Sequence, residues 1–172
     1  MKTKQLTIAA VIVAINIVLS YVAKIPTPTG FVSLLETGIF IAAWHYGSRT
    51  GAMVGGLTGL LLDLLAGYPQ WMIFSLLIHG GEGWVIGKYG LNPSIGKRVF
   101  GNFLGGLVMV VGYWLAGSFL IWLNGGAKMQ LGPAFLAGLA DVPANIMQVL
   151  AGFILALLLS VPLRKILMPK SH

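Results

Sequence analysis

The stretch Leu6-Thr-Ile-Ala-Ala-Val-Ile-Val-Ala-Ile-Asn-Ile-Val-Leu-Ser-Tyr-Val-Ala23 carries no charge and no alternation of polar with apolar side chains. A strand of a membrane barrel would alternate lipid-facing and lumen-facing residues over about 10 positions, and this run does not. A helix crossing a hydrocarbon layer about 30 Å thick needs roughly 20 largely apolar residues with its backbone groups satisfied internally, and this run supplies them. The basic start, Met1 to Lys4, imitates a secretory signal. The run is long for a signal core, however, and Ser20-Tyr21-Val22-Ala23 offers no small-x-small cleavage site, so it reads as a retained first helix.

Outward from that run the rest of the chain has the same character. Of 172 residues, 57% are hydrophobic and 9% charged, more apolar surface than a water-soluble domain of this size can bury, so lipid is the solvent for most of it. With no cysteine, disulfides, thiolate nucleophiles and Cys-based metal sites are excluded. The net charge of +7 would suggest nucleic acid in a soluble protein, but here it is the basic flanking of membrane spans, and no nucleic-acid partner is expected.

Further helices are predicted over Val32 to Tyr46, Thr50 to Ala66, Trp71 to Lys88 and Lys97 to Leu123, separated by Gly, Pro and Asn breaks. The last segment, Leu131 to Leu167, is too long for one straight span. Asp141 with Pro143 marks either a kink in it or a fresh start with Asp141 as N-cap. Both readings give an all-α membrane protein of six transmembrane helices in a single domain over 1–172. With the N-terminus in the cytoplasm, Lys2, Lys4, Arg49, Lys88, Lys97, Arg98, Arg164, Lys165 and Lys170 lie inside, against Lys24 and Lys128 outside. That bias predicts both termini cytoplasmic. The outer loops, Lys24 to Phe31, Gly67 to Gln70 and Asn124 to Gln130, carry Pro, Gly, Tyr and Gln and suit a lid over a pocket.

An acid near a bilayer centre costs roughly 2.5 to 3.5 kcal/mol on insertion scales, so such residues face a cavity or a partner. The chain has four acids, all in or near predicted spans. Glu36, Asp63 and Asp141 come out near the outer face; Glu82 lies at mid-depth with His79 one turn before it on the same helix face. Asp141, Asn145 and Gln148 at i, i+4, i+7 form one polar stripe. Together they predict a polar pocket open to the outside. Each has a plainer reading beside it: His79 and Glu82 as a packing pair, Asp63 as a helix-end residue, Asn145 and Gln148 as interhelical hydrogen bonds. Of the outer aromatics Tyr68, Trp71, Trp114 and Trp122, the last fits an interfacial belt, while Tyr68 and Trp71, flanking Pro69-Gln70, suit stacking on a flat ligand.

Small residues at helical spacing form a separate signal. Gly51, Gly55 and Gly59, and Gly101 and Gly105, let helices approach within the bundle; Ala10 and Ala14 on the first helix suit docking of another subunit. No phosphate-binding loop of the G-x-x-x-x-G-K-[ST] type, no H-E-x-x-H and no G-x-S-x-G occurs, so no catalytic residue, metal site or ATP hydrolysis is expected in this chain. Acid-base work by His79, Glu82 and Asp63 in an intramembrane enzyme is the alternative of another class.

Several stretches resemble the substrate-binding S components of energy-coupling factor (ECF) transporters: Lys24-Ile-Pro-Thr-Pro-Thr-Gly30, the glycines from Gly51 to Gly59, Asp63-Leu-Leu-Ala-Gly-Tyr-Pro-Gln-Trp71, His79-Gly-Gly-Glu82-Gly and Pro143-Ala-Asn145-Ile-Met-Gln148. The resemblance covers essentially the whole chain. It implies a multi-pass protein of the bacterial plasma membrane that captures a vitamin. A membrane coupling subunit, the T component, would dock on Ala10 and Ala14 and bear on two cytoplasmic ATPase subunits, which alone would use ATP and Mg. The loop after the first helix would close over substrate. The implied pocket residues are Glu36, Asp63, Tyr68, Gln70, Trp71, His79, Glu82, Asp141, Asn145 and Gln148. Overall likeness points to the branch handling hydroxymethylpyrimidine or vitamin B6 compounds such as pyridoxine. A pocket of acids, amides and aromatics suits such a nitrogen heterocycle. Pantothenate, an anion, would want a basic residue near the pocket; riboflavin, thiamine and folate remain alternatives.

Overall fold

A computed structural model describes residues 3–91, 94–126 and 129–167. It is a bundle of helices with one small hairpin: α1 (Thr3–Val22), β1 (Ile25–Pro26), β2 (Phe31–Val32), α2 (Leu35–Tyr46), α3 (Ser48–Ala66), α4 (Met72–Gly90), α5 (Ile95–Asn124), α6 (Leu131–Gly138) and α7 (Val142–Leu167). Single 3-10 turns, Pro69–Trp71 and Leu139–Asp141, lead into α4 and α7. Among the described residues, three stretches are long and apolar enough to cross a membrane: Thr3–Val22, Ile95–Asn124 and Leu131–Ser160.

Two predicted boundaries move for physical reasons. The second helix starts at Leu35 rather than Val32, because Phe31 and Val32 pair antiparallel with Pro26 and Ile25. The turn between them is closed by the Thr27 N–H donating to the Gly30 carbonyl at 3.0 Å and the Gly30 N–H donating to Thr27 Oγ1 at 3.1 Å. At the other end, the long last segment breaks at Gly138 and restarts at Val142, with Pro143 in the first turn, where its missing N–H costs nothing. Asp141 precedes that start but does not cap it: one carboxylate oxygen goes to Thr29, and Oδ1 has no hydrogen-bond partner.

The middle of the bundle is the α3–α4 interface, the most extensive in the fold. Its closeness comes from glycine. A Cβ placed on Gly51 would lie 2.5 Å from the Gly83 carbonyl oxygen, and one on Gly59 would lie 2.9 Å from His79 Cδ2. Gly101 and Gly105 on α5 receive Tyr89 and Ile86 of α4 in the same way. Both glycine series are therefore packing devices inside the bundle. The short α2 is about 18 Å long and is buried along Leu35 to Trp44, so it forms the bundle's axis. By contrast α1 buries only Ala9, Val13, Asn16 and Ser20, against α2 and α3. Its Asn16 amide donates to the Leu35 carbonyl at 2.8 Å, in space left open by Gly38. Ala10 and Ala14 are exposed on α1.

Candidate functional site

The hairpin, α3, α4, α5 and α7 enclose a polar cavity of about 40 Å³. Thr27, Thr29, Gly30, Phe31 and Ser33 cover it; Asp63, Trp71, His79, Met109, Tyr113, Asp141, Asn145 and Gln148 line its sides and base, with Gly59 and Leu62 between. Asn145 and Gln148 reach it from one face of α7, and Asp141 from the 3-10 turn just before that helix. The cover is tied to the walls at two points. The Thr29 hydroxyl donates to Asp141 Oδ2, and the Trp71 indole N–H donates to the Thr29 carbonyl at 2.9 Å.

One wall is a ladder of aromatic rings. Trp71 and Tyr113 have centroids 5.5 Å apart at 38°, and Tyr113 and His79 lie 5.2 Å apart at 55°. The Tyr113 hydroxyl lies 2.9 Å from His79 Nε2 and 2.6 Å from Ser75 Oγ. Behind the cavity, the Ser33 N–H donates to Gln148 Oε1 at 2.6 Å, and Gln148 Nε2 donates to Glu36 Oε1 at 2.9 Å. His79 Nδ1 sits 3.1 Å from Glu82 Oε2 and 3.5 Å from Glu36 Oε1.

All four acids of the chain therefore converge on one place, Asp63 and Asp141 on the cavity wall and Glu36 and Glu82 beneath it, none more than 7% exposed. No Lys or Arg lines the cavity among the described residues. Lys24 instead stands over the Tyr21 ring at 4.3 Å, and Lys128 lies outside the described residues. Asp63 Oδ2 and Asp141 Oδ1 are buried without hydrogen-bond partners, which leaves two acceptors free for donors on a ligand.

Of the residues named from sequence, Asp63, Trp71, His79, Asp141, Asn145 and Gln148 line the cavity. Glu36 and Glu82 reach it only through Gln148 and His79. Tyr68 and Gln70 do not line it. The Tyr68 ring packs on Phe31 with centroids 5.4 Å apart, supporting the cover from behind, and Gln70 is exposed. The outer Trp114 ties α5 to α6 through its indole N–H and the Phe135 carbonyl, 3.0 Å, and Trp122 is 37% exposed. Sequence reading missed Thr29, Ser33, Ser75, Met109 and Tyr113. A tyrosine in the middle of the 30-residue apolar helix α5 was the one available signal, since a phenol at that depth needs a polar partner.

A family model of the ECF-type riboflavin transporter S component matches residues 1–165. The chain is 38% identical over 160 residues to the thiamine precursor transporter HmpT of Lactococcus lactis subsp. cremoris, covering 91% of this chain and 86% of that one. It is also 33% identical over 107 residues to an uncharacterized protein in the gap 3' region of Pyrococcus woesei, covering 62% of this chain and 71% of that one. The chain belongs to the S components of ECF-type transporters, the substrate-binding membrane subunits of that transporter class.

Proposed function

We propose that this S component captures hydroxymethylpyrimidine, or a pyridoxine-like heterocycle of the same size, for ATP-driven uptake. The observation that carries the reading is the cavity itself: acids with unpartnered oxygens, the amides of Asn145 and Gln148, an aromatic wall and no cation. Such a lining favours a flat ring bearing amino and hydroxyl donors and disfavours an anionic vitamin. The family model's description names riboflavin and the Lactococcus relative's name a thiamine precursor. The Lactococcus relative, 38% identical over 91% of this chain, supports the smaller, single-ring molecule.

In this reading the single domain crosses the membrane six times with both termini cytoplasmic, supported by the distribution of Lys and Arg. A T component docks on the α1 face bearing Ala10 and Ala14, and two ATPase subunits, rather than this chain, use ATP and Mg. The hairpin over residues 25–32 is the outer lid.

Purified chain titrated with hydroxymethylpyrimidine, pyridoxine, thiamine, riboflavin and pantothenate tests the assignment through quenching of tryptophan fluorescence, to which Trp71 in the cavity wall contributes. Saturable quenching by hydroxymethylpyrimidine or pyridoxine at the lowest concentrations is expected; a response to riboflavin alone would overturn the substrate. Thr29→Val keeps the lid's shape and removes its hydroxyl contact with Asp141. A hydrogen bond to a charged group contributes about 1.5 to 3 kcal/mol, so vitamin release should accelerate roughly tenfold or more in stopped-flow quenching. An unchanged release rate would show that this contact does not hold the lid.

A further inference from the structure

Beneath the cavity the hydrogen bonds have a fixed direction. The Ser33 N–H can only donate, so Gln148 turns Oε1 toward it and its amide nitrogen toward Glu36 Oε1. On the opposite side the Tyr113 hydroxyl bridges Ser75 Oγ at 2.6 Å and His79 Nε2 at 2.9 Å.

His79 Nδ1 faces Glu82 Oε2 at 3.1 Å and Glu36 Oε1 at 3.5 Å. One imidazole nitrogen can serve at most one of these two acids. Glu36 Oε2 and Glu82 Oε1 are in addition buried without partners, in residues 0% exposed, and His79 is 2% exposed. Among the described residues no Lys or Arg pairs with either carboxylate. With both acids ionised, a second proton on His79 offsets one carboxylate and leaves the other uncompensated in an apolar interior. One divalent ion offsets both.

The spacing fits such an ion. Oxygen and nitrogen ligands about 2.0 to 2.1 Å from a tetrahedral metal lie about 3.3 Å from one another, and the two measured separations straddle that value. All three ligand atoms fall within 4.8 Å of one another. The outer hydrogen bonds fit as well. A metal-bound histidine gives its other ring N–H to a neighbour, here Tyr113, and a bound carboxylate is itself hydrogen-bonded, here by Gln148. We propose that Glu36, His79 and Glu82 bind one first-row divalent metal ion, of the zinc and cobalt class that mixed imidazole and carboxylate ligands accept. The ion enters through the cavity, whose base His79 forms.

The full chain in detergent, stripped with a chelator and titrated with Co²⁺, tests this without any vitamin, so its outcome is separate from that of the substrate assignment. A visible absorbance of low-symmetry cobalt that saturates at one ion per chain and is displaced by Zn²⁺ is expected. Glu82→Gln and Glu36→Gln should each weaken Co²⁺ at least 100-fold, and Gln148→Leu roughly 10- to 100-fold through loss of the outer hydrogen bond. Asp141→Asn, a cavity acid outside the triad, should keep the wild-type affinity. Should one glutamine variant fail to fold in a thermal melt, the other carries the test. No saturable cobalt spectrum, or Co²⁺ affinity unchanged in the folded glutamine variants, would overturn the proposal. So would an infrared band of a protonated carboxyl that persists in the presence of excess Zn²⁺ and disappears in Glu82→Gln.

Discussion

Ala14→Trp is expected to abolish uptake in cells that hold the complete transporter, while vitamin binding by the purified chain stays within about twofold of wild type, because the two sites share no contact. The argument rests on which sides of α1 are already used. Ala9, Val13, Asn16 and Ser20 face the bundle, and Asn16 is tied to the Leu35 carbonyl. Ala10 and Ala14 stand exposed one helical turn apart. Small residues at that spacing let a partner helix come to about 8 to 10 Å, a distance an indole forbids. Ala10→Trp should behave alike. Binding is best followed by calorimetry, since the variant adds a fluorophore, and T-component association by co-purification. Uptake that survives both substitutions, or binding lost together with uptake, would end the proposed separation of a docking face from the cavity.

Gly55→Leu carries the second large effect. A Cβ at Gly55 meets the backbone carbonyl oxygen of His79, with the carbonyl carbon at 2.8 Å and Ile39 Cδ1 at 3.2 Å. Backbone within a helix cannot turn aside as a flexible side chain does. The added side chain therefore forces α4 away from α3 and carries His79 out of the cavity base. Overpacking costs typically about 1 to 3 kcal/mol of stability, and a backbone contact belongs at the upper end; vitamin affinity should fall as well, because His79 no longer forms the cavity base. A lower melting temperature should accompany the loss. Gly132→Ala is the matched control: nothing lies within 4 Å of its Cβ, and replacing a helical glycine there should be neutral or stabilising by about 0.5 to 1 kcal/mol. If Gly55→Leu binds and melts like the wild type, the close α3–α4 approach does not position the site.

The residues legible from sequence and those that were not differ in a simple way. Asn145 and Gln148 were found because one helix's own periodicity puts them on one face, with Asp141 in the turn just before it, and His79 and Glu82 because three residues make nearly one turn. Tyr68 and Gln70 were expected in the pocket because they adjoin Trp71 in the chain. The 3-10 turn Pro69–Trp71 sends only the indole inward. Thr29 and Ser33 escaped notice because a hydroxyl or an N–H in a loop shows its role only when a partner more than a hundred residues away, Asp141 or Gln148, is seen beside it.

Long uncharged runs without alternation, sparse acids and basic residues gathered near the ends of those runs determined by themselves that the chain is helical, lives in lipid and keeps its acids inward, because a hydrocarbon solvent admits only self-satisfied backbone and penalises an exposed charge. Only the tertiary structure decided that Asp63 and Asp141 face the cavity while Glu36 and Glu82 lie beneath it around His79. The reason is geometric. Periodicity fixes which way a side chain leaves its own helix, but the rotation and closeness of two helices come from contacts between distant glycines and backbone carbonyls, such as Gly55 against His79.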